Sequence, residues 1–164
     1  MKYTQMKTEN YRSKIMNREE IASRLKSVNG KTVFTNGCFD LLHIGHIRYL
    51  YEASLEGDLL IIGINTDSSV KKIKGPGRPI TPEKERAELI SALEFVDYVT
   101  LFSETLPTKT LDIIKPDVHV KGGDYKIDDI PETETVEKNG GKVKILGLYR
   151  GYSSSSLIKK IKNI

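Results

Sequence analysis

Apolar residues in this chain follow two rhythms that take turns. Five short runs, KTVFTN, DLLIIGIN, DYVTLF, DVHVKGG and KVKILGL, read as strands. The unbroken apolar stretch LLIIGI is typical of a strand buried on both faces of a parallel sheet. Between these runs the apolar spacing changes to three and four. A helix is predicted over 17–28, with Ile21, Leu25 and Val28 on one face. Asn17 is its cap, Glu19 and Glu20 lie in its first turn, and Asn29–Gly30 stops it. HIGHIRYLYEASLEG reads as a helix ending at Gly57. SSVKKIKGPGRPITP starts as a short helix and becomes a Gly/Pro loop, and Pro82 can start a helix over 83–93 at its first position. LPTKTLDII, PETETVEKNGG and residues 155–161 supply the remaining helices.

Strands that alternate with helices give an α/β domain, here a Rossmann-like five-stranded parallel sheet with helices on both faces. In such sheets ligands sit beyond the carboxyl ends of the strands, where the strand order reverses. The chemistry is therefore expected in five loops: NGCFDLLHIGH, NTDSS, FSETLP, KGGDY and YRGYSSSS. Residues 1–15 read as an N-terminal tail and 16–164 as a single domain.

The length of 164 residues suits one domain that buries roughly two-thirds of its unfolded surface. The single cysteine, Cys38, excludes an intrachain disulfide framework and fits a reducing compartment. No apolar run approaches the roughly 20 residues of a membrane helix, and the N-terminus lacks the apolar core of a signal peptide. A cytoplasmic protein without a membrane partner is expected. The net charge of +4 and pI near 9.0 raise the question of nucleic acid. Much of the excess is local: Lys71, Lys72, Lys74, Arg78, Lys84 and Arg86 face only Glu83 and Glu85 over residues 71–86. That distribution suits a phosphorylated small molecule, although charge runs are most often solvated faces. Aromatic residues make up only 7% and no RNA-stacking motif is present, so no nucleic-acid partner is expected.

TNGCFDLLHIGH, residues 35–46, holds two of the three histidines. Gly37 lets a phosphate approach the backbone N–H groups. Asp40 is placed to cap or orient the following helix. His43 and His46 lie on one helix face near its positive end, where two imidazoles form a donor set for triphosphate oxygens. Gly45 leaves room for a nucleoside against the helix. Zinc is a competing use of the pair, but no further ligand at zinc spacing is evident, since Cys38 is alone and His119 sits in a predicted strand. Two structural histidines would not explain the adjacent NG and FD, so phosphate binding is favoured.

GCFDLLHIGH resembles the GxFDxxHxGH signature of the HxGH nucleotidyltransferase (cytidylyltransferase-like) superfamily. GDLLIIGINTDSSVKKIKGPGRPI, ERAELISALEFVD, PDVHVKGGDY and SSSSLIKKI narrow the likeness to the adenylyltransferase domain of the bifunctional ADP-heptose synthases, over about residues 16–162. HxGH alone identifies the superfamily, whereas KGPGRP with VKGGDY points to the heptose enzymes. The resemblance implies transfer of AMP from ATP to D-glycero-β-D-manno-heptose 1-phosphate. It implies catalytic roles for His43, His46 and Lys74, the lysine closing from a mobile Gly/Pro loop. The implied ATP site contains Asn36, Gly37, Cys38, Phe39, Asp40, His43, Gly45 and His46, with Lys121, Gly122, Gly123 and Asp124 near the adenine and ribose. Ser153, Ser154 and Ser155 match the Ser-Thr-Thr of relatives before the last helix, either a phosphate site or a serine-rich cap. Sugar-phosphate binding is implied for Asp67, Lys74, Arg78 and Arg86. Lys74 can equally be a solvated lysine, Arg86 can pair with Glu83, and Asp67 can cap the helix after it.

The expected reaction is direct: the sugar phosphate attacks the α-phosphorus of MgATP and pyrophosphate leaves. A phosphate monoester needs no general base, and no base is dedicated to Cys38. Mg²⁺ would ride on the phosphates and water rather than on a protein metal site. About fifteen residues precede the first helix, so heptose 1-phosphate is expected from a separate sugar kinase, with the product feeding lipopolysaccharide core or another surface glycan. The resemblance also suggests a homodimer. The rivals are a cytidylyltransferase acting on glycerol 3-phosphate or a similar substrate, and a nucleotide- or RNA-binding module without turnover.

Overall fold

The computed structural model describes residues 10–123, 126–147 and 151–163. Its strands are Thr32–Gly37 (β1), Leu59–Asn65 (β2), Tyr98–Phe102 (β3), Val118–Gly122 (β4) and Lys142–Leu146 (β5). All pair in parallel, in the order β3-β2-β1-β4-β5. The expected five-stranded α/β sheet is present, and its order reverses between β1 and β4, where a crevice must open at the carboxyl ends.

Three aspartates pin the amino edge of this sheet. Asp58, Asp97 and Asp117 each stand just before a strand, and their carboxylates accept the N–H groups of Lys31, Leu60 and Thr32, each at 2.7 Å. Strand alternation then sends neighbouring side chains to opposite faces. On one face Val33, Leu60, Ile62 and Ile64 pack with Leu50 and Ala53 of Ile44–Ser54 (α2) and with Ala87 and Ile90 of Glu83–Ser91 (α4). On the other, Phe34 and Ile61 meet Ile21 of Arg18–Leu25 (α1), Leu111 and Ile114 of Thr108–Ile114 (α5) and Val136 of Thr133–Lys138 (α6). Each large aliphatic side chain buried this way contributes about 1.5–3 kcal/mol. Asp67–Lys74 (α3) and Ser154–Lys162 (α7) flank the carboxyl edge.

Asn17 caps α1 as expected and does so reciprocally: Asn17 Oδ1 accepts from Glu20 N at 2.8 Å, and the Glu20 carboxylate accepts from Asn17 N at 3.1 Å. The helix ends at Leu25, short of the predicted Val28. There the Ser27 hydroxyl binds the Arg24 carbonyl, and Val28 is exposed. Pro82 precedes α4 with extended backbone instead of occupying its first position.

Residues 10–15, read above as tail, pack against the domain. Tyr11–Lys14 forms a 3₁₀ turn, Ile15 bridges to Val99, and Met16 N–H donates to Val99 O at 2.9 Å. Arg12 pairs with Glu88 of α4 at 2.9 Å. This segment covers the outer edge of β3, while the opposite edge strand, β5, carries Lys142 and Lys144; both devices discourage edge-to-edge pairing. Among the described residues no helix is long and apolar enough to cross a membrane.

Candidate active site

A cleft of about 530 Å³ opens at the carboxyl ends of β1 and β4. Four of the five strand-end loops reach it, through residues between Asn36 and His46, through Leu106, through Lys121 and Gly122, and through Tyr152–Ser155. Lys74 joins the wall from α3. The NTDSS loop does not: Thr66, Asp67 and Ser68 line a separate depression with Glu83 and Ser103.

His43 is the extended N-cap of α2, and His46 is its third residue. Each imidazole caps the other's backbone: His46 N–H donates to His43 Nδ1 at 3.3 Å, and His43 N–H to His46 Nδ1 at 3.4 Å. The rings stack with centroids 3.7 Å apart and planes 18° apart. A nitrogen that accepts cannot carry the proton, so each neutral ring holds its proton on Nε2. Burial lowers the pKa of His43; burial, then His43 and Lys74, push His46 down to about 4. Near neutral pH the cleft therefore faces two uncharged N–H donors at the positive end of a helix.

The glycines here serve protein packing. A Cβ on Gly37 would stand 3.0 Å from the Phe39 ring, so Gly37, which also lines the cleft, makes room for Phe39. Phe39 holds a φ of 47° and sets its ring edge-on to His46 at 5.3 Å. A Cβ on Gly45 would stand 2.8 Å from Tyr152 Cβ, so Gly45, on the cleft wall, makes room for the approach to α7. Gly122 admits the Tyr49 ring, which a Cβ there would approach to 2.9 Å. Tyr49 is a cleft residue absent from the sequence-derived set; its spacing of three from His46 on α2 is the signal that would have found it. Its hydroxyl donates to Val120 O at 3.1 Å and accepts from Thr35 Oγ1 at 2.7 Å, and burial raises its pKa to about 12.

Asp40 does not cap α2. Its carboxylate, 2% exposed, accepts from Arg78 Nε, from Ile80 N at 2.7 Å and from Thr81 N at 2.9 Å. Burial opposes its ionisation, but the Thr81 N–H, the Arg78 guanidinium and the Ile80 N–H together hold its pKa below the usual carboxylate range. Asp40 thereby ties the loop after Lys74 to the histidine loop. Arg86 is completely buried and donates to Thr81 O, Cys38 O and Asp67 Oδ1. With all three nitrogens engaged inside the protein, it is not available to a sugar phosphate. Nor does it pair with Glu83, whose carboxylate accepts the Asp67 N–H at 2.6 Å. Asp67 is the first residue of α3, whose cap is Thr66, and it serves Arg86 instead of the cleft. Arg78 borders a neighbouring depression with Ser155, Lys159 and Lys162. Lys74 stands at the end of α3, ahead of the loop expected to carry it.

On the opposite wall Lys121 Nζ donates to Asn36 Oδ1 at 3.0 Å and to Glu132 Oε1 at 2.6 Å. Glu132 is nearly fully buried, and nothing in PETETVEK marks it as different from its acidic neighbours. Ser153 Oγ caps α7 by accepting from Ser156 N at 3.0 Å, and Ser154 Oγ donates to Leu41 O at 3.1 Å. These serines are thus both a helix cap and part of the cleft wall. Gly123 lies behind the wall, its N–H given to Leu146 O, and Asp124 is outside the described residues. Burial pushes the Cys38 thiol up despite nearby Lys74 and Arg86, so it stays protonated. Among the described residues no three His, Cys, Asp or Glu side chains gather as a metal site.

Residues 34–161 match the Cytidylyltransferase-like family. The chain is 47% identical over 152 residues to the bifunctional protein HldE of Citrifermentans bemidjiense, across 91% of this chain and 31% of that protein. It is 44% identical over 153 residues to the bifunctional protein HldE of Campylobacter jejuni subsp. doylei, across 93% and 32%. The chain thus spans about a third of the length of these relatives. The crystal structure of the lipopolysaccharide core biosynthesis protein from Thermoplasma volcanium aligns with a TM-score of 0.63 and 35% identity, over 76% of this chain and 100% of that one. Pantoate-beta-alanine ligase from Francisella tularensis shares the fold, with a TM-score of 0.59 at 16% identity over 92% of this chain and 78% of that one. With a match that runs from Phe34 in β1 to Ile161 in α7, enclosing the histidine turn and most of the cleft, the chain belongs to the cytidylyltransferase-like family of nucleotidyltransferases.

Proposed function

We propose that this protein transfers AMP from ATP to D-glycero-β-D-manno-heptose 1-phosphate, giving ADP-heptose and pyrophosphate. The observation that carries the reading is the stacked pair His43 and His46, locked by reciprocal capping as Nε2–H donors on the cleft wall. Donors fixed before the reaction stabilise charge that develops on phosphate oxygens without reorganising. In this reading the α-phosphate lies at His43, His46 and Lys74, the lysine adding a mobile point charge. The departing pyrophosphate lies toward Ser153–Ser155 at the N-terminus of α7.

An oxygen of the sugar phosphate attacks the α-phosphorus in line. The new P–O bond forms as the bond to pyrophosphate breaks. The attacking phosphate is already anionic, so no base is needed, and the half-buried, protonated Cys38 thiol takes no part. Magnesium enters as part of the MgATP substrate, held by phosphates and water, because Asp40 and Glu132 are already bound to Arg78 and Lys121. Lys74 and Arg78 are assigned to the sugar phosphate, Arg78 being the arginine that borders open space beside the cleft. Likeness to the adenylyltransferase domain of ADP-heptose synthases, and to a lipopolysaccharide core biosynthesis protein at 35% identity, supports heptose as acceptor and a surface glycan as destination. A sugar kinase would supply the heptose 1-phosphate, with the enzyme acting as a cytoplasmic homodimer.

The test is pyrophosphate release from ATP or CTP with Mg²⁺, offering heptose 1-phosphate, hexose 1-phosphates and glycerol 3-phosphate, with His46→Ala as control. Turnover with ATP and heptose 1-phosphate, lost in the variant, is the expected result. Turnover only with CTP and glycerol 3-phosphate would overturn the heptose assignment and leave the chemistry standing. Silence with every pair would favour a binding module without turnover.

A further inference from the structure

Lys121 is the penultimate residue of β4 and Glu132 stands just before α6, and both line the cleft. Their charged groups are 2.6 Å apart, with the Glu132 side chain 2% exposed and that of Lys121 20% exposed. A buried ion pair is a poor device for joining two elements, since desolvating both charges offsets most of their attraction. The segment after Glu132 is in any case anchored by Val136 in the core. The pair's position therefore points to a service performed for the cleft.

An ammonium has three N–H groups. Two of those of Lys121 go to Glu132 and Asn36, on groups fixed at the switch point of the sheet. Among the described residues the third has no partner, which leaves it for a ligand. A cation matched by a carboxylate at 2.6 Å projects little net field, and that carboxylate repels a phosphate. Lys74, which has no ion-pair partner among the described residues, is the opposite case.

Building on the nucleotidyl-transfer reading above, we infer that Glu132 is a positioning residue: it neutralises and aims Lys121 so that its remaining N–H serves an uncharged acceptor on the nucleoside, not a phosphate. Glu132 thereby divides the cleft into a nucleoside end at Lys121 and a phosphate end at Lys74.

Calorimetric titration of adenosine, ATP and inorganic tripolyphosphate into wild type, Glu132→Gln and the doubly apolar variant Lys121→Met/Glu132→Leu tests the division. The double variant removes both charges together, so neither is left buried alone. In both variants adenosine and ATP affinity should fall about tenfold, the size of one lost hydrogen bond. Tripolyphosphate affinity should hold in the double variant and rise in Glu132→Gln, where Lys121 is left unpaired. KM for ATP should rise with kcat nearly unchanged. A structural role alone would lower the melting temperature without separating adenosine from tripolyphosphate, and that result overturns the inference. So does unchanged adenosine affinity in both variants while wild type transfers AMP. A wild-type protein with no affinity for ATP overturns this inference and the nucleotidyl-transfer reading together.

Discussion

His43 with His46, at the start of α2, and Arg78 with Arg86, in the loop after α3 and in α4, are two basic pairs, and the sequence presents both as phosphate ligands. The fold separates them. Each histidine gives the backbone only its Nδ1 lone pair and keeps an Nε2–H for the cleft. Arg86 gives all three nitrogens to Thr81, Cys38 and Asp67, and Arg78 commits its Nε to Asp40. A basic residue beside an anion site is a ligand only if the fold leaves it a free donor. Arg86 is therefore a brace for the segments that carry Cys38 and Asp67, and that bracing has its own measurable weight, whereas Arg78 braces Asp40 through Nε and keeps an Nη2 without a partner among the described residues.

The largest effect should come from Arg86→Met, which leaves the half-buried Cys38 and Thr81 carbonyls without their donor and Asp67 without its cation. A loss of about 2–4 kcal/mol in stability by urea denaturation is expected, mainly from the carbonyls left without a donor, since the Asp67 carboxylate is partly screened by water. Loss of sugar-phosphate affinity in a variant of wild-type stability would return Arg86 to the substrate site. His46→Ala is the converse. It should lower kcat by about 10²–10³-fold, as removal of one preorganised donor does, while shifting the melting temperature far less than Arg86→Met. Because both rings act uncharged, with His43 held below its ordinary value and His46 pushed down to about 4, kcat should stay flat from about pH 7 to 8. A decline on raising the pH through the ordinary histidine range, about 6.5, would mean that imidazolium is the active form.

The third histidine sharpens the contrast. His119, fully buried, donates Nδ1–H to Phe34 O at 3.2 Å and has no partner at Nε2 among the described residues. Burial, then Lys121, push its pKa to about 3, against a weaker opposing effect of the Phe34 carbonyl. The folded state thus resists a proton that the unfolded chain takes up near the ordinary histidine value of about 6.5. Its stabilisation is complete above that pH and is lost as pH falls toward 3, by about 2 kcal/mol on reaching pH 5. His119→Met should flatten the stability profile between pH 7 and 5, and a slope equal to wild type would assign the loss to other groups. The smallest effect belongs to a region remote from all three histidines: Asn17→Ala should cost about 1 kcal/mol and leave turnover unchanged.

The strands were legible because each carries its own periodicity, and the cap at Asn17 because its partner is Glu20, three residues away. The histidine turn was legible for the same reason: the two rings that cap and stack lie within one helical turn. Tyr49 was within reach of the same helical spacing, but Glu132 was not, since burial alone distinguishes it from the acids around it.

What the sequence determined by itself, then, was the alternation of strands and helices, the crevice that a reversed parallel sheet must open, and the paired imidazoles at a helix start. These follow from local spacing and from the chirality of crossovers. The tertiary structure alone decided that Arg86 is scaffold, that Asp40 is a latch, and that Gly45 makes room for Tyr152. Their partners lie far along the chain, Arg86 from Cys38 by 48 residues and Asp40 from Thr81 by 41. A charge's role is set by which donors and acceptors remain after the chain has closed around it, and no local pattern records that remainder.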